Sequence, residues 1–397
     1  MDPIKISHVL RVPDELRLAR SQRAPELGPR ILFFTGGTAM RGLSRKLKAY
    51  THNTTHLITP FDSGGSSAKL RQAFDMLSVG DTRNRLVALA DETLRGNPQT
   101  YALFAHRFDQ DVDQETSRRD LEALSNGEHE LIARVPEPIQ QIAINYIRRF
   151  RSEMPEDFDL RGASIGNLLL TGGYLENNRD LDALIFLVSN MIAVLGTVCP
   201  ITDASLHLLA ELEDGTQLVG QHQITGKEHP PIQSPIRDLC LVNNLDDPQV
   251  TTIDIPKKIS QLIHDAELIC FPMGSFWTSL VANLLPKGVG RAIRAARCPK
   301  IYIPNVGHDP EQLGLKIHDC IEILHQKVSE DCGEPVPMNQ VLDFILVDSE
   351  NADYSDTLDL ARVQSLGVQV VDVQLVTDRS EPLLDSARLA QTLVSMA

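Results

Sequence analysis

The stretch Leu57–Glu92 concentrates the residues best suited to chemistry in this 397-residue chain. An apolar pair, Leu57 and Ile58, leads into Asp62, then into the small residues Ser63, Gly64, Gly65 and Ser66. A helical pattern begins near Ser67, and a second loop, Gly80-Asp81-Thr82-Arg83-Asn84, opens another helix. A strand, a glycine-serine turn and a helix start together form an anion site. Glycine lets backbone N–H groups come close to oxygen, and a helix start leaves donors unpaired. Asp62 and Asp81 would repel a bare phosphate, so their presence implies a bridging Mg2+ or a hydroxyl to hold. Asp, Ser and Gly are also ordinary N-caps and turn residues, so one such loop is weak evidence. Two loops within twenty residues, joined by the glycine loop described next, shift the balance toward a ligand. Lys69, Arg71, Arg83 and Arg85 lie where a local basic pocket would help.

These loops need strands and helices to position them. Ile31-Leu32-Phe33-Phe34 is continuously apolar, as a strand buried on both faces of a parallel sheet would be. It ends in Gly36-Gly37-Thr38, with helical character from Ala39 to Tyr50. This β-loop-α unit lacks both the G-x-G-x-x-G of dinucleotide folds and the G-K-[ST] of P-loops. Placed one strand before the Asp62 loop, it puts two strand ends at one crevice, where open α/β sheets bind ligands. A third unit runs from Glu267–Met273 into Gly274-Ser275-Phe276-Trp277-Thr278-Ser279, with a helix to Leu285. Ser275, Thr278 and Ser279 would offer hydroxyls to phosphate there. Trp277 could cover a ligand ring or fill a hydrophobic gap, and the gap is the favoured reading. A fourth unit, Lys300–Ile303, ends in Asn305, and strands at 341–347 and 368–373 close the chain.

Between these units, 93–160 reads as a charged helical insertion with a solvated face, and residues 1–29 as an extension over the body of an α/β domain spanning 30–397. Gly166-Asn167 forms a glycine turn before an apolar run, where Asn167 contacts ligand or caps a helix. Runs at 206–212 and 216–224 around Asp214-Gly215 predict an antiparallel hairpin. His222 and His229 near it read as surface or packing residues. The alternation of strands and helices predicts an α/β, Rossmann-like doubly wound fold with a mainly parallel sheet and helices on both faces.

Composition removes several classes. A net charge of −15 argues against nucleic-acid binding, which needs a basic face. No apolar run is long enough to span a membrane and no signal-peptide core precedes the body, so a cytoplasmic protein with no membrane contact is expected. The six cysteines, without C-x-x-C pairing, read as reduced and mostly buried.

GGT at Gly36, DSGGSSAKLR at Asp62, GDTRNRLVALAD at Gly80, the GN of Gly166 with its leucines, AELEDGT at Ala210, MGSFWTS at Met273 and IYIPN at Ile301 occur in this order. Together they resemble the family uniting CofD 2-phospho-L-lactate transferases with YvcK-type gluconeogenesis factors, from about Ile31 to near the C-terminus. In the transferase branch this resemblance implies a guanosine-diphosphate-linked lactate as donor. The acceptor is the hydroxyl of the deazaflavin Fo, Mg2+ assists, and the product leads to coenzyme F420. In the regulatory branch it implies a UDP-sugar without turnover. Carried onto this chain, Gly36, Gly37 and Thr38 match the first loop, and Asp62, Gly64, Gly65 and Ser66 the second. Asp81 and Asn84 match the third, Gly166 and Asn167 the GN turn, and Gly274, Ser275, Thr278 and Ser279 the diphosphate-side loop. Asp62 and Asp81 are the implied catalytic and metal-binding pair.

Phe61 stands where relatives often carry the first of two aspartates, and Ala163 where a histidine often precedes the GN turn. The reading favoured is a transferase moving a phospho-linked group from a nucleoside-diphosphate-linked small molecule to an acceptor hydroxyl with Mg2+. A non-catalytic UDP-sugar regulator is the alternative, and the family suggests a homodimer.

Overall fold

The computed structural model describes residues 10–93, 95–226, 229–355 and 357–397. Its main sheet holds seven parallel strands: β1 (Ile31–Thr35), β2 (Thr55–Ile58), β3 (Thr197–Pro200), β8 (Leu268–Phe271), β9 (Lys300–Tyr302), β10 (Phe344–Val347) and β11 (Gln369–Asp372). They are ordered β11-β10-β9-β8-β1-β2-β3. A second, antiparallel sheet is inserted in the chain between β3 and β8. It comprises β4 (His207–Leu212), β5 (Gln217–Val219), β6 (Ile236–Val242) and β7 (Val250–Thr251), ordered β5-β4-β6-β7.

β1 is buried at every position because both faces of the parallel sheet are covered. Leu32 and Phe34 pack with Ile269 and Phe271 against the antiparallel sheet and the helix Ile317–Cys332. Ile31 and Phe33 face the other way, with Leu268 and Cys270, toward the helices Arg41–Leu47 and Ser386–Met396. Side-chain alternation along a strand thus divides one apolar run between two cores.

The β2–β3 crossover spans residues 59–196 and carries a helical layer with a third core. Segment 93–160 supplies much of it, including Leu103, Phe104, Leu121, Leu124, Ile147 and Phe150. Helices Ile139–Glu153 and Ile165–Glu176 approach so closely that a Cβ on Gly172 would lie 1.9 Å from the Tyr146 carbonyl oxygen. Gly172→Ala is therefore expected to force the helices apart and destabilise the fold by about 2 kcal/mol, measured as a lower urea midpoint.

Of the N-terminal extension, the first nine residues lie outside the described ones. The rest forms the helix Glu15–Arg23, capped by Asp14 and laid on the C-terminal helix, where Arg17 Nη1 donates to the Ser395 carbonyl at 3.0 Å. The six cysteines are free, with Cys199, Cys270 and Cys320 buried. Among the described residues no helix is long and apolar enough to cross a membrane.

Three boundaries differ from the sequence reading. The extended run expected over 216–224 stops at Val219, because Gly220 turns the chain at φ +93° into the short helix Gln221–Ile224. Asn167 lies within the helix Ile165–Glu176 rather than in a turn, since the chain is already helical after Ser164. The segment after Ser275 is a wide turn, Phe276–Leu280, followed by a tight one, Val281–Leu284, in place of a regular helix.

Candidate functional site

β1 has β2 on one side and β8 on the other, so the chain leaves neighbouring strands in opposite directions and opens a crevice beyond their C-terminal ends. A cavity of about 280 Å³ occupies it. The loop after β1 contributes Gly37 and Thr38. The segment after β2 contributes Asp62 and Gly64 to Ser67, and the next helix Gly80, Asp81, Arg83 and Asn84. Ser275 and Ser279 close the side next to β8.

Two ten-residue helices, Gly65–Phe74 and Gly80–Leu89, begin at this cavity, and neither has a side-chain cap. Their first hydrogen bonds run from Ala68 N to Gly64 O and from Arg83 N to Val79 O. Elsewhere Asp113, Asp180 and Asp385 cap helices in the ordinary way. Two uncapped N-termini at one cavity concentrate backbone donors and partial positive charge. Gly80 lets them meet: a Cβ there would stand 2.7 Å from Ser67 Oγ and 3.6 Å from Asp62 Oδ2.

The carboxylates take some of the loop donors themselves. Asp62 Oδ1 accepts Gly64 N–H at 3.1 Å, and Asp81 Oδ2 accepts Gly37 N–H at 2.8 Å. The Asp81 contact ties the first loop to the third. The four basic residues near the loops divide their work. Arg71 donates to the carbonyls of Phe61, Asp62 and Leu206, and Arg85 to the hydroxyls of Ser44 and Thr35 and the Gly36 carbonyl, so both are engaged within the protein. Arg83 lines the cavity, with its Nε on Asn167 Oδ1 at 3.2 Å, and Lys69 lines a neighbouring one. Burial, then Arg107 and Arg41, lower the Arg83 pKa to about 10 against the opposing pull of Asp81. It remains charged at neutral pH.

Other expected site residues are placed differently. Thr278 does not reach the cavity: its hydroxyl and N–H, with the Trp277 N–H, bind the buried Glu311 carboxylate at 2.6–3.0 Å. Asp309 Oδ2 takes the Phe276 N–H at 3.0 Å. Of the three hydroxyls expected to face phosphate at this turn, that of Thr278 is taken by a protein carboxylate, while Ser275 and Ser279 line the cavity. Asn305 braces the same turn, accepting from Gly274 N and donating to Gly274 O at 2.8 and 2.7 Å. Gly36 and Gly274 border a smaller cavity of about 100 Å³ beside the first. Gly166 serves packing, as a Cβ would lie 2.4 Å from the Phe104 carbonyl oxygen. Trp277 is fully buried in the core, filling the gap assigned to it.

The structure also brings in residues the sequence did not assign to the site. Arg107 comes from the helical insertion, and Gln221, His222 and Thr225 from the chain just after β5. His222 Nδ1 lies 2.8 Å from Ser63 Oγ, so a histidine read as surface or packing sits on the cavity wall. No local pattern marks these residues, because the fold alone carries them there.

For a cation the cavity offers two carboxylates, Asp62 and Asp81, and among the described residues no group of three or more His, Cys, Asp or Glu could hold a metal. This donor set suits Mg2+, which takes one or two carboxylates and completes its shell with water and substrate phosphate.

Comparison with known proteins adds an independent line. The sequence profile of the family described as 2-phospho-L-lactate transferase CofD matches residues 31–376. A gluconeogenesis factor of Bacillus subtilis is 28% identical over 384 residues, covering 93% of this chain and 98% of that protein. A putative gluconeogenesis factor of Nostoc is 31% identical over 322 residues, covering 81% of this chain and 55% of that protein. A crystal structure of a UPF0052 family member from Bacillus halodurans superposes with a TM-score of 0.66 at 25% identity, covering 92% of this chain and 99% of that one.

Proposed function

The chain belongs to the CofD family, and from that membership and its cavity we propose that it binds a nucleoside-diphosphate-linked small molecule and transfers the phospho-linked group to an acceptor hydroxyl, whose oxygen attacks the distal phosphorus, gives up its proton and displaces a nucleoside monophosphate. The observation carrying this reading is the meeting of two uncapped helix N-termini with Arg83 and Arg107 at the switch point of the sheet. That arrangement suits a diphosphate, whose charge a backbone-and-guanidinium site can spread over several donors.

The residues then take distinct roles. The Gly65–Ser67 and Gly80–Thr82 starts receive phosphate oxygens, and Arg83 and Arg107 balance their charge. Asp62 and Asp81 would hold Mg2+, which supplies charge neutralisation on the diphosphate when bound. Asp62, on the cavity wall at the Gly64 turn, also orients an acceptor hydroxyl. Catalysis of this kind is mainly positioning and charge stabilisation.

Calorimetry with GDP, UDP-N-acetylglucosamine and Fo, with and without Mg2+, tests the proposal. Mg2+-dependent binding of a nucleoside diphosphate together with Fo supports transfer. Binding of the UDP-sugar without Fo and without turnover would replace it by a non-catalytic UDP-sugar regulator. Asp62→Asn is expected to weaken the Mg2+-dependent part of binding about tenfold and to leave metal-free binding unchanged. An unchanged Mg2+ dependence in this variant would remove Asp62 from the metal.

A further inference from the structure

His222 lines the first cavity from the short helix Gln221–Ile224, yet has no part in the roles given above. It lies outside every motif that carries the family resemblance. Its ring is nevertheless held from two sides. Gly220, at φ +93°, passes so close that a Cβ there would stand 2.7 Å from His222 Cε1 and 2.8 Å from Nδ1. Ser63 Oγ lies 2.8 Å from the same Nδ1 and 3.3 Å from the His222 backbone nitrogen. Ser63 is buried, at 5% exposure, and is set back from the cavity wall that His222 forms. Ser63 and Gly220 therefore occupy the Nδ1–Cε1 edge of the ring, and the edge left for the cavity carries Nε2. Hydrogen-bond accounting then places the proton. A backbone N–H can only donate, so Ser63 Oγ accepts that of His222. Among the described residues, Nδ1 is the one acceptor bonded to the Ser63 hydroxyl, and a buried hydroxyl uses its proton where an acceptor is at hand. With Nδ1 accepting, a neutral ring carries its own proton on Nε2. The cationic ring is protonated there as well, so this edge donates in either charge state.

We infer that His222 donates a hydrogen bond from Nε2 to a diphosphate oxygen, and that Ser63 is the positioning residue that turns the ring to do so. The inference rests on the first cavity being the diphosphate site. Ser63 directly follows Asp62, so the ring is anchored to the loop that carries this carboxylate. Held this way, His222 cannot accept at Nε2, so the same geometry removes it as the base for an acceptor hydroxyl. Its contribution is a donor that needs no fixed positive charge. A lysine or arginine at this place would instead pair with Asp62 and compete with Mg2+ for it.

The test uses the full chain, calorimetry and NMR with 15N-labelled histidine. UDP and GDP are titrated into the wild type first, and the tighter binder is used throughout. His222→Ala is expected to weaken it about tenfold. His222→Gln should restore most of that loss, because a glutamine NH2 reaches about as far as Nε2. His222→Asn should not, because an asparagine NH2 stops near the place of Nδ1. Ser63→Ala should weaken the nucleotide about threefold in the wild type and leave it unchanged beside His222→Gln. His222 is half-buried, so these variants should fold, which the melting temperature of the ligand-free chain checks. The NMR measurement needs no binding variant: the ring signal absent from His222→Gln identifies the residue. At about pH 8, where imidazoles are mostly neutral, its proton should sit on Nε2, and that nitrogen should shift when nucleotide is added. A proton on Nδ1, an affinity of His222→Ala equal to the wild type, or an asparagine variant that binds as well as the glutamine one overturns the role of His222 alone. Failure of the wild type to bind either UDP or GDP overturns the first cavity's reading, and this inference with it.

Discussion

Arg83→Met is expected to lower the affinity for a nucleoside diphosphate about 100-fold, without lowering the melting temperature of the ligand-free chain. The first half follows from where the charge sits. Arg83 is only 6% exposed yet lines the cavity, so an anion there would meet a desolvated guanidinium through charge-assisted bonds. Losing such a contact costs about 2–3 kcal/mol, which is the stated factor. The second half follows from what holds Arg83 without ligand. Burial and the like charges of Arg107 and Arg41 lower its pKa to about 10, so its charge is tolerated rather than favoured. Methionine of similar length removes that cost, and the Asn167 amide released from the 3.2 Å bond still faces the cavity and water. Thermal unfolding with and without GDP or UDP reads both halves: the ligand-induced rise in melting temperature should vanish while the baseline holds or rises. A ligand-induced rise equal to that of the wild type would mean that Arg83 is not the anion's partner.

What the sequence could and could not reveal follows from how far apart the interacting residues lie. The strands were legible because a parallel sheet covered on both faces demands unbroken apolar runs, and Ile31–Phe34 is one. The Asp62 and Gly80 loops were legible because each local unit, a strand end or loop followed by a helix start, lies within a few residues. The fate of Thr278 was not, since its partner Glu311 comes 33 residues later and after another strand. Asn305 looked like a fourth strand-end residue, yet its amide braces Gly274, 31 residues earlier. His222 and Arg107 reach the cavity from the antiparallel sheet and the helical layer, and neither segment carries a local motif for doing so. Of four nearby basic residues, spacing could not say that Arg71 would be used up on backbone carbonyls and Arg85 on the Ser44 and Thr35 hydroxyls and the Gly36 carbonyl.

Glu311→Ala is expected to destabilise the fold by about 3 kcal/mol or more and to weaken nucleotide binding as well. One buried carboxylate accepts the N–H groups of Trp277 and Thr278 and the Thr278 hydroxyl, and alanine would leave all three donors unmatched in the core. The same turn presents Ser275 and Ser279 to the cavity, so its loss reaches the ligand. Glu311→Gln should behave differently. Its amide oxygen can accept the two backbone N–H groups, and its NH2 can donate to the threonine oxygen, so stability stays near that of the wild type. The two variants also separate in pH dependence. Burial, then the adjacent Asp309, push the Glu311 carboxyl from its ordinary 4.5 up to about 7. Between those values the folded chain binds more protons than the unfolded one, so this group's contribution is full below about pH 4.5 and is lost as pH rises toward 7. Urea midpoints measured across that window should fall with rising pH in the wild type and flatten in Glu311→Gln. A slope unchanged by the substitution would place the titrating group elsewhere. A flattened slope would identify the carboxylate that couples the turn beside the cavity to the stability of the whole fold.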